Sequence, residues 1–206
     1  MKFKVFNYLI IAFLLISCSE KFQKLSEKES DTVELLKKIE PDKSVQYWQL
    51  ESVPNWKDET KNSEVLFFKG NYTIETKETP SENLRDMNGF FRGCEPLYCA
   101  YQITYLENDK WKSVKSEEEL QNFIGNIENK SEAFLIGKIN DYDIDFYSEK
   151  GNGFIKKGDD YKIKMMKYNS CPESKESFTL VINKLGKIIQ TKSNGFYLKS
   201  KNCIVY

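Results

Sequence analysis

The residue types most often used for chemistry are scarce in this chain. None of its 206 residues is histidine. That removes the side chain that titrates nearest neutral pH, the commonest metal ligand, and the base of Ser-His and Cys-His nucleophile systems. Five cysteines occur: Cys18, Cys94, Cys99, Cys171 and Cys203. If the last four are oxidised, thiol chemistry is lost as well. An enzyme built on this chain would then have to use carboxylates, Lys or Tyr.

The carboxylates do cluster. Asp141, Asp143 and Asp145 alternate with Tyr142, Ile144 and Phe146, and hard cations want several carboxylate oxygens. A calcium loop of this spacing needs glycine where Phe146 stands and a bidentate glutamate where Asn152 stands. The run therefore reads as a half-buried strand with a solvated outer face. Glu117-Glu118-Glu119 suits the N-terminus of a helix, where the dipole favours acids, better than it suits acid–base catalysis. Gly151-Asn152-Gly153 lacks the strand–loop–helix context and the lysine-serine ending of a phosphate loop. No catalytic, cofactor-binding or metal-binding residue is assigned.

The elements that would position any site follow from patterning. Thr32 to Ile39 reads as a short helix ended by Pro41. Tyr47 to Leu50 and Val65 to Phe68 read as strands, and Gly70-Asn71 turns into a third at Tyr72 to Thr76. Glu75 to Met87 is polar and reads as a loop. Tyr101, Ile103 and Tyr105 alternate with Gln102 and Thr104, which makes a strand with one aromatic face. Trp111 to Val114 follows it. Ser116 with Glu119 forms a capping box before Leu120, Phe123 and Ile124, and Gly125 ends that helix. Ser131 is expected to cap a second helix. Strands are expected at Tyr142 to Tyr147, Tyr161 to Tyr168, Phe178 to Ile182, Lys187 to Thr191 and Phe196 to Leu198, with a turn at Ser193-Asn194-Gly195. The fold class is α+β: an antiparallel meander with two or three short helices. Tyr47, Trp48, Trp56, Phe67, Phe68, Tyr72, Phe90 and Phe91 crowd the less regular N-terminal half. Most should fill the core, while some form an exposed partner surface.

The N-terminus carries an address. Lys2 and Lys4 precede an apolar run from Tyr8 to Ile16. It is too short to span a bilayer, which takes roughly 20 apolar residues, and fits a secretory signal. Leu15-Ile16-Ser17-Cys18 resembles the lipobox of bacterial lipoproteins. The resemblance implies a diacylglyceryl group on the Cys18 thiol, cleavage before Cys18 and anchoring of residue 18 in a membrane. Two or three acyl chains hold a protein stably where one would be marginal. The whole chain has 31 basic and 31 acidic side chains. That balance gives no electrostatic case for nucleic acid.

Four cysteines in an exported chain argue for two disulfides. Three pairings are possible, and Cys94–Cys99 with Cys171–Cys203 is favoured. A four-cysteine zinc site lacks the usual short spacing in two pairs.

Two further resemblances concern the C-terminal half. Cys94 and Cys99 before Tyr101-Gln102-Ile103-Thr104-Tyr105, then Phe123-Ile124-Gly125, Glu132-Ala133-Phe134-Leu135, Tyr168-Asn169-Ser170-Cys171-Pro172 and the late Cys203 look like lipoproteins of Flavobacterium-type Bacteroidetes. That implies compartment rather than activity. Ser131-Glu132-Ala133 and the stretch from Phe178 to Ile189 are similar to the helix and final hairpin of PepSY-type modules, a family associated with peptidase inhibition.

The expected organisation is a signal peptide at 1–17, a lipid-attached flexible tether at 18–31 and one disulfide-bonded α+β domain at 32–206. Within that domain, 32–92 is expected to be less regular and 93–206 to hold the helices and sheet. The expected role is a non-catalytic cell-envelope lipoprotein, in the outer membrane and facing the periplasm or the surface, that binds an envelope protein or a ligand. The alternative is a PepSY-like peptidase regulator or a carboxylate-dependent envelope enzyme.

Overall fold

The computed structural model describes residues 20–41, 45–54, 63–71, 89–94 and 99–204. The signal region, Cys18, Trp56, the strand expected at Tyr72 to Thr76 and the loop after it lie outside the described residues.

The chain forms α1 (Glu27–Ser30), α2 (Thr32–Leu36), β1 (Val45–Pro54), β2 (Glu64–Gly70), β3 (Phe90–Cys94), β4 (Cys99–Glu107) and β5 (Lys110–Val114). Then come α3 (Glu117–Ile124), α4 (Lys130–Ile139), β6 (Gly153–Lys157), β7 (Asp160–Ser170), β8 (Glu173–Ile182) and β9 (Ile188–Lys199). The strands make two antiparallel sheets. The first runs β2-β1-β4-β3, with β5 also on β4; the second is a β6-β7-β8-β9 meander. The α+β class holds, with two helices preceding the meander as the sequence predicts. Cys171 and Cys203 are bonded across 32 residues, a loop whose closure in the unfolded chain is worth about 3–4 kcal/mol. Cys94 and Cys99 are register partners on β3 and β4; their side chains and residues 95–98 lie outside the described residues.

One hydrophobic core serves both sheets. α3 lies against β3 and β5, α4 against β7 and β8, and the two helices against each other. α3 supplies Leu120, Phe123 and Ile124; its Ser116 cap accepts from the Glu119 amide. α4 is buried from Ser131 through Gly137, as expected of a helix walled in on several sides. At Gly137 an added Cβ would sit 2.1 Å from the Met165 sulfur, so glycine is what lets the helix approach β7 this closely. The cap of α4 is Asn129 rather than Ser131. Its side chain accepts from the Ser131 and Glu132 amides, and Ser131 itself lies inside the first turn.

Residues 20–31 do not behave as a tether. Glu20 pairs with Lys157 and Lys162, whose ammonium groups hold its carboxyl at about 2. The Gln23 and Phe154 backbones exchange hydrogen bonds of 3.0 and 2.8 Å. Leu25 is fully buried, and the Asn152 side chain accepts from its amide and donates to its carbonyl. Residues 20–31 therefore belong to the packed domain. The polar composition of this stretch hid one well-placed leucine.

Two further expectations fail. Tyr142 to Tyr147 is not a strand; Asp143 makes one bridge to Met166, and the rest folds over the sheet as a loop. Ser193-Asn194-Gly195 does not turn the chain. β9 runs unbroken past it, and the β8–β9 register shifts at three places.

If the segment is integral, Leu25→Ala should lower stability by about 2–5 kcal/mol, the range for a buried leucine. Lys24→Ala, an exposed neighbour, should stay within about 0.5 kcal/mol. Urea midpoints of the two variants would decide it, and a tether would show no difference.

Candidate functional site

The first sheet has two unlike faces. Cross-strand partners share a face in an antiparallel pair. Trp48 opposite Tyr105 and Leu50 opposite Ile103 look into the common core, with Phe67 beside Leu50. The other face is polar. Gln49 lies opposite Thr104, and Glu51 opposite Gln102; all four are buried. They form a row bounded at one end by Val53 and Ala100 and at the other by Tyr47 and Leu106.

The row is wired along β1. The Tyr47 hydroxyl donates to Gln49 Oε1 at 2.9 Å, and Gln49 Nε2 donates to Glu51 Oε1 at 2.5 Å. Among the described residues Thr104 Oγ1, buried there, has no hydrogen-bond partner. An orphan hydroxyl in such a place costs stability unless something satisfies it. At the Tyr47 end the aromatics gather. The Phe68 ring stacks on Tyr47 at 6.2 Å, and Trp111 meets Tyr47 edge-on at 6.0 Å. Phe68 is 63% exposed. The exposed Phe68 ring, stacked on half-buried Tyr47 beside half-buried Trp111, adjoins a hydrogen-bonded polar row and can hold an amphipathic ligand, apolar against Phe68 and polar towards the row.

No family model matches this chain, and no curated protein or solved structure matches it.

The aromatics singled out in the sequence divide accordingly. Trp48 and Phe90 are core, with Phe67 and Phe91 packed against it. Tyr47 and Phe68 face the other way, and Trp56 and Tyr72 lie outside the described residues. The sequence signal missed was the alternation on β1 itself: Tyr47, Gln49 and Glu51 interleave with Trp48 and Leu50, the same period that was legible on β4.

The three aspartates do not converge. Among the described residues no group of three His, Cys, Asp or Glu side chains is placed to hold a metal ion. Asp143 pairs with Lys138 at 2.8 Å, whereas Asp145 is buried elsewhere on the second sheet. Its Oδ2 accepts from the Tyr197 hydroxyl at 2.8 Å and from Lys175 at 3.0 Å; its Oδ1 accepts from the Tyr147 amide at 3.1 Å. Burial works against the charge, but these three donors outweigh it and hold the carboxyl below its ordinary range. Burial and the Asp145 charge together push the Tyr197 phenol up, which disqualifies it as a base near neutral pH. The cluster pins the loop that follows α4.

A second concavity, of about 610 Å³, lies between α1–α2 and the start of α4. Within it Lys130 pairs with Glu29 at 2.6 Å, while Glu34, Glu40 and Glu128 pair with Lys37, Lys69 and Lys184 outside its lining, and the first amides of α4 are taken by Asn129.

The Asp145 carboxyl titrates lower in the folded than in the unfolded chain. Its bonds therefore contribute fully above the unfolded value of about 3.9 and are lost as pH falls through the folded one. Asp145→Asn should cost about 1.5–3 kcal/mol at neutral pH and flatten the decline of stability below about pH 4. Denaturation across a pH series checks both.

Proposed function

We propose that this chain is a lipid-anchored lipoprotein of the bacterial cell envelope, attached through Cys18, whose domain is a non-catalytic binding module. The observation that carries the compartment is the Cys171–Cys203 disulfide, since bonded cysteines belong to an oxidising environment. It agrees with the signal and lipobox pattern ending at Cys18. Among the described residues no helix is long and apolar enough to cross a membrane, so attachment in this reading rests on the acyl chains. The binding role rests on the Tyr47–Phe68–Trp111 platform and the polar row behind it. The engagement of Asp145 and of the buried Glu132 carboxylate in structural hydrogen bonds favours this reading over a carboxylate-dependent enzyme.

Two measurements test it. Protein extracted from its native host should have the intact mass of residues Cys18–Tyr206 plus two or three acyl chains, with Cys171 and Cys203 alkylated only after reduction. An unprocessed mass with free thiols would end the envelope reading. For binding, a photoreactive phenylalanine analogue replaces Phe68 in cells, with the same analogue at Phe196, which is also exposed, as control. A discrete adduct formed from position 68 alone supports the platform; equal labelling from both positions, or none from either, overturns it.

A further inference from the structure

The docking of residues 20–25 fixes which way the domain faces. The exchange between Gln23 and Phe154 is antiparallel, so the chain from Glu20 runs against β6 and Glu20 sits beside Lys157, the last residue of that strand. Glu20 thus lies at the β6–β7 turn. Only two residue steps separate Glu20 from Cys18, a reach of about 7 Å at full extension. A free segment of about 12 residues would span roughly 20 Å and let any face turn towards the bilayer. This one has no such slack.

The same end of the second sheet carries the β8–β9 turn, because Tyr161 at the start of β7 is the register partner of Ile182 at the end of β8. Leu185 at that turn is 62% exposed, and Ile189 just beyond it is 57% exposed. Lys156, Lys157 and Lys187 are exposed around them. Acids are present too: Asp159 and Asp160 in the first turn, and Glu128, which pairs with Lys184. Lys157 and Lys184 are paired with Glu20 and Glu128, so exposed Leu185 and Ile189 at the same end as Lys156 and Lys187 are the groups that suit the headgroup region of an anionic bilayer, apolar side chains entering the interface and ammonium groups meeting phosphate. The opposite end, with the β7–β8 turn and the Cys171–Cys203 bond, lies a full strand away, about 35 Å along β7.

We propose that the end of the domain formed by the β6–β7 and β8–β9 turns rests on the anionic phospholipid surface in which Cys18 is anchored, with Leu185 and Ile189 in the interface and Lys156 and Lys187 on phosphates. The proposal rests on the lipoprotein reading and adds a fixed orientation to it. The domain stands upright on its anchor, and the Asp145 loop with Tyr147 points away from the membrane.

The test uses the full chain, expressed with its own signal in a host that processes lipoproteins, and proceeds only from protein whose intact mass includes the acyl chains. Absence of those chains would overturn the anchor and the orientation together. The lipidated protein is reconstituted into vesicles of phosphatidylcholine and phosphatidylglycerol brominated near the headgroup end of the acyl chains. Fluorescence of Leu185→Trp and of Tyr147→Trp, each corrected for the unsubstituted protein, is compared. Tyr147 is 80% exposed, so neither substitution disturbs packing. Quenching at 185 and not at 147 is the expected result. Equal quenching at both sites, or none at either in lipidated protein, would refute the orientation while leaving the anchor intact. Lys156→Gln and Lys187→Gln, added to Leu185→Trp, should each lower the ratio of docked to undocked protein by about fivefold. No change in either variant would remove the phosphate contact from the proposal.

Discussion

A helix buried on several sides must satisfy three neighbours at once, and α4 does so at the centre of this molecule. Phe134, Leu135 and Ile136 are fully buried, and Gly137 admits Met165. Glu132, also fully buried, accepts from the amides of Glu40, Glu128 and Asn129 at 2.7, 2.6 and 3.0 Å. Burial raises its carboxyl above the ordinary range even though the three amides oppose that shift. The carboxylate joins the chain after α2 to the start of α4, while the apolar residues join both to the second sheet. Moving this helix would break the shared core, so the first sheet and its polar face depend on it.

The strands and helices whose pattern is local were legible in the sequence. Tyr101, Ile103 and Tyr105 announce β4, and Leu120, Phe123 and Ile124 announce α3, because period alone places their side chains. What was not legible depends on contacts across long separations. Leu25 is held by Asn152 from 127 positions away, and no property of the polar stretch around Leu25 reports that partner. Asp145 was visible as one of three alternating acids. Its environment is set by Lys175 and Tyr197, on strands that its own neighbourhood cannot foresee. At 193–195 the Ser-Asn-Gly signal was real but was absorbed as a distortion of β9, since register with β8 on either side outweighed the local turn preference.

The candidate site was half legible. The mixed character of β4 was plain, but the polar face becomes a site only through its pairing with β1. Gln49 and Glu51 are unremarkable in the linear chain; opposite Thr104 and Gln102 they become a buried row. Elsewhere in the fold the buried Asp145 and Glu132 carboxylates are engaged in structural hydrogen bonds.

The long register-shifted course of β9 has a consequence for crowding. β9 ends the second sheet, and a strand with an unpaired edge is a template for another copy of itself. Acyl anchors would confine many copies to two dimensions, upright and side by side, where such edges meet often. The three irregularities between β8 and β9 twist and interrupt that edge, and exposed Lys187, Lys192 and Lys199 set like charges against each other wherever two would align. The cost in regular hydrogen bonding thus works against edge-to-edge pairing between copies of the chain.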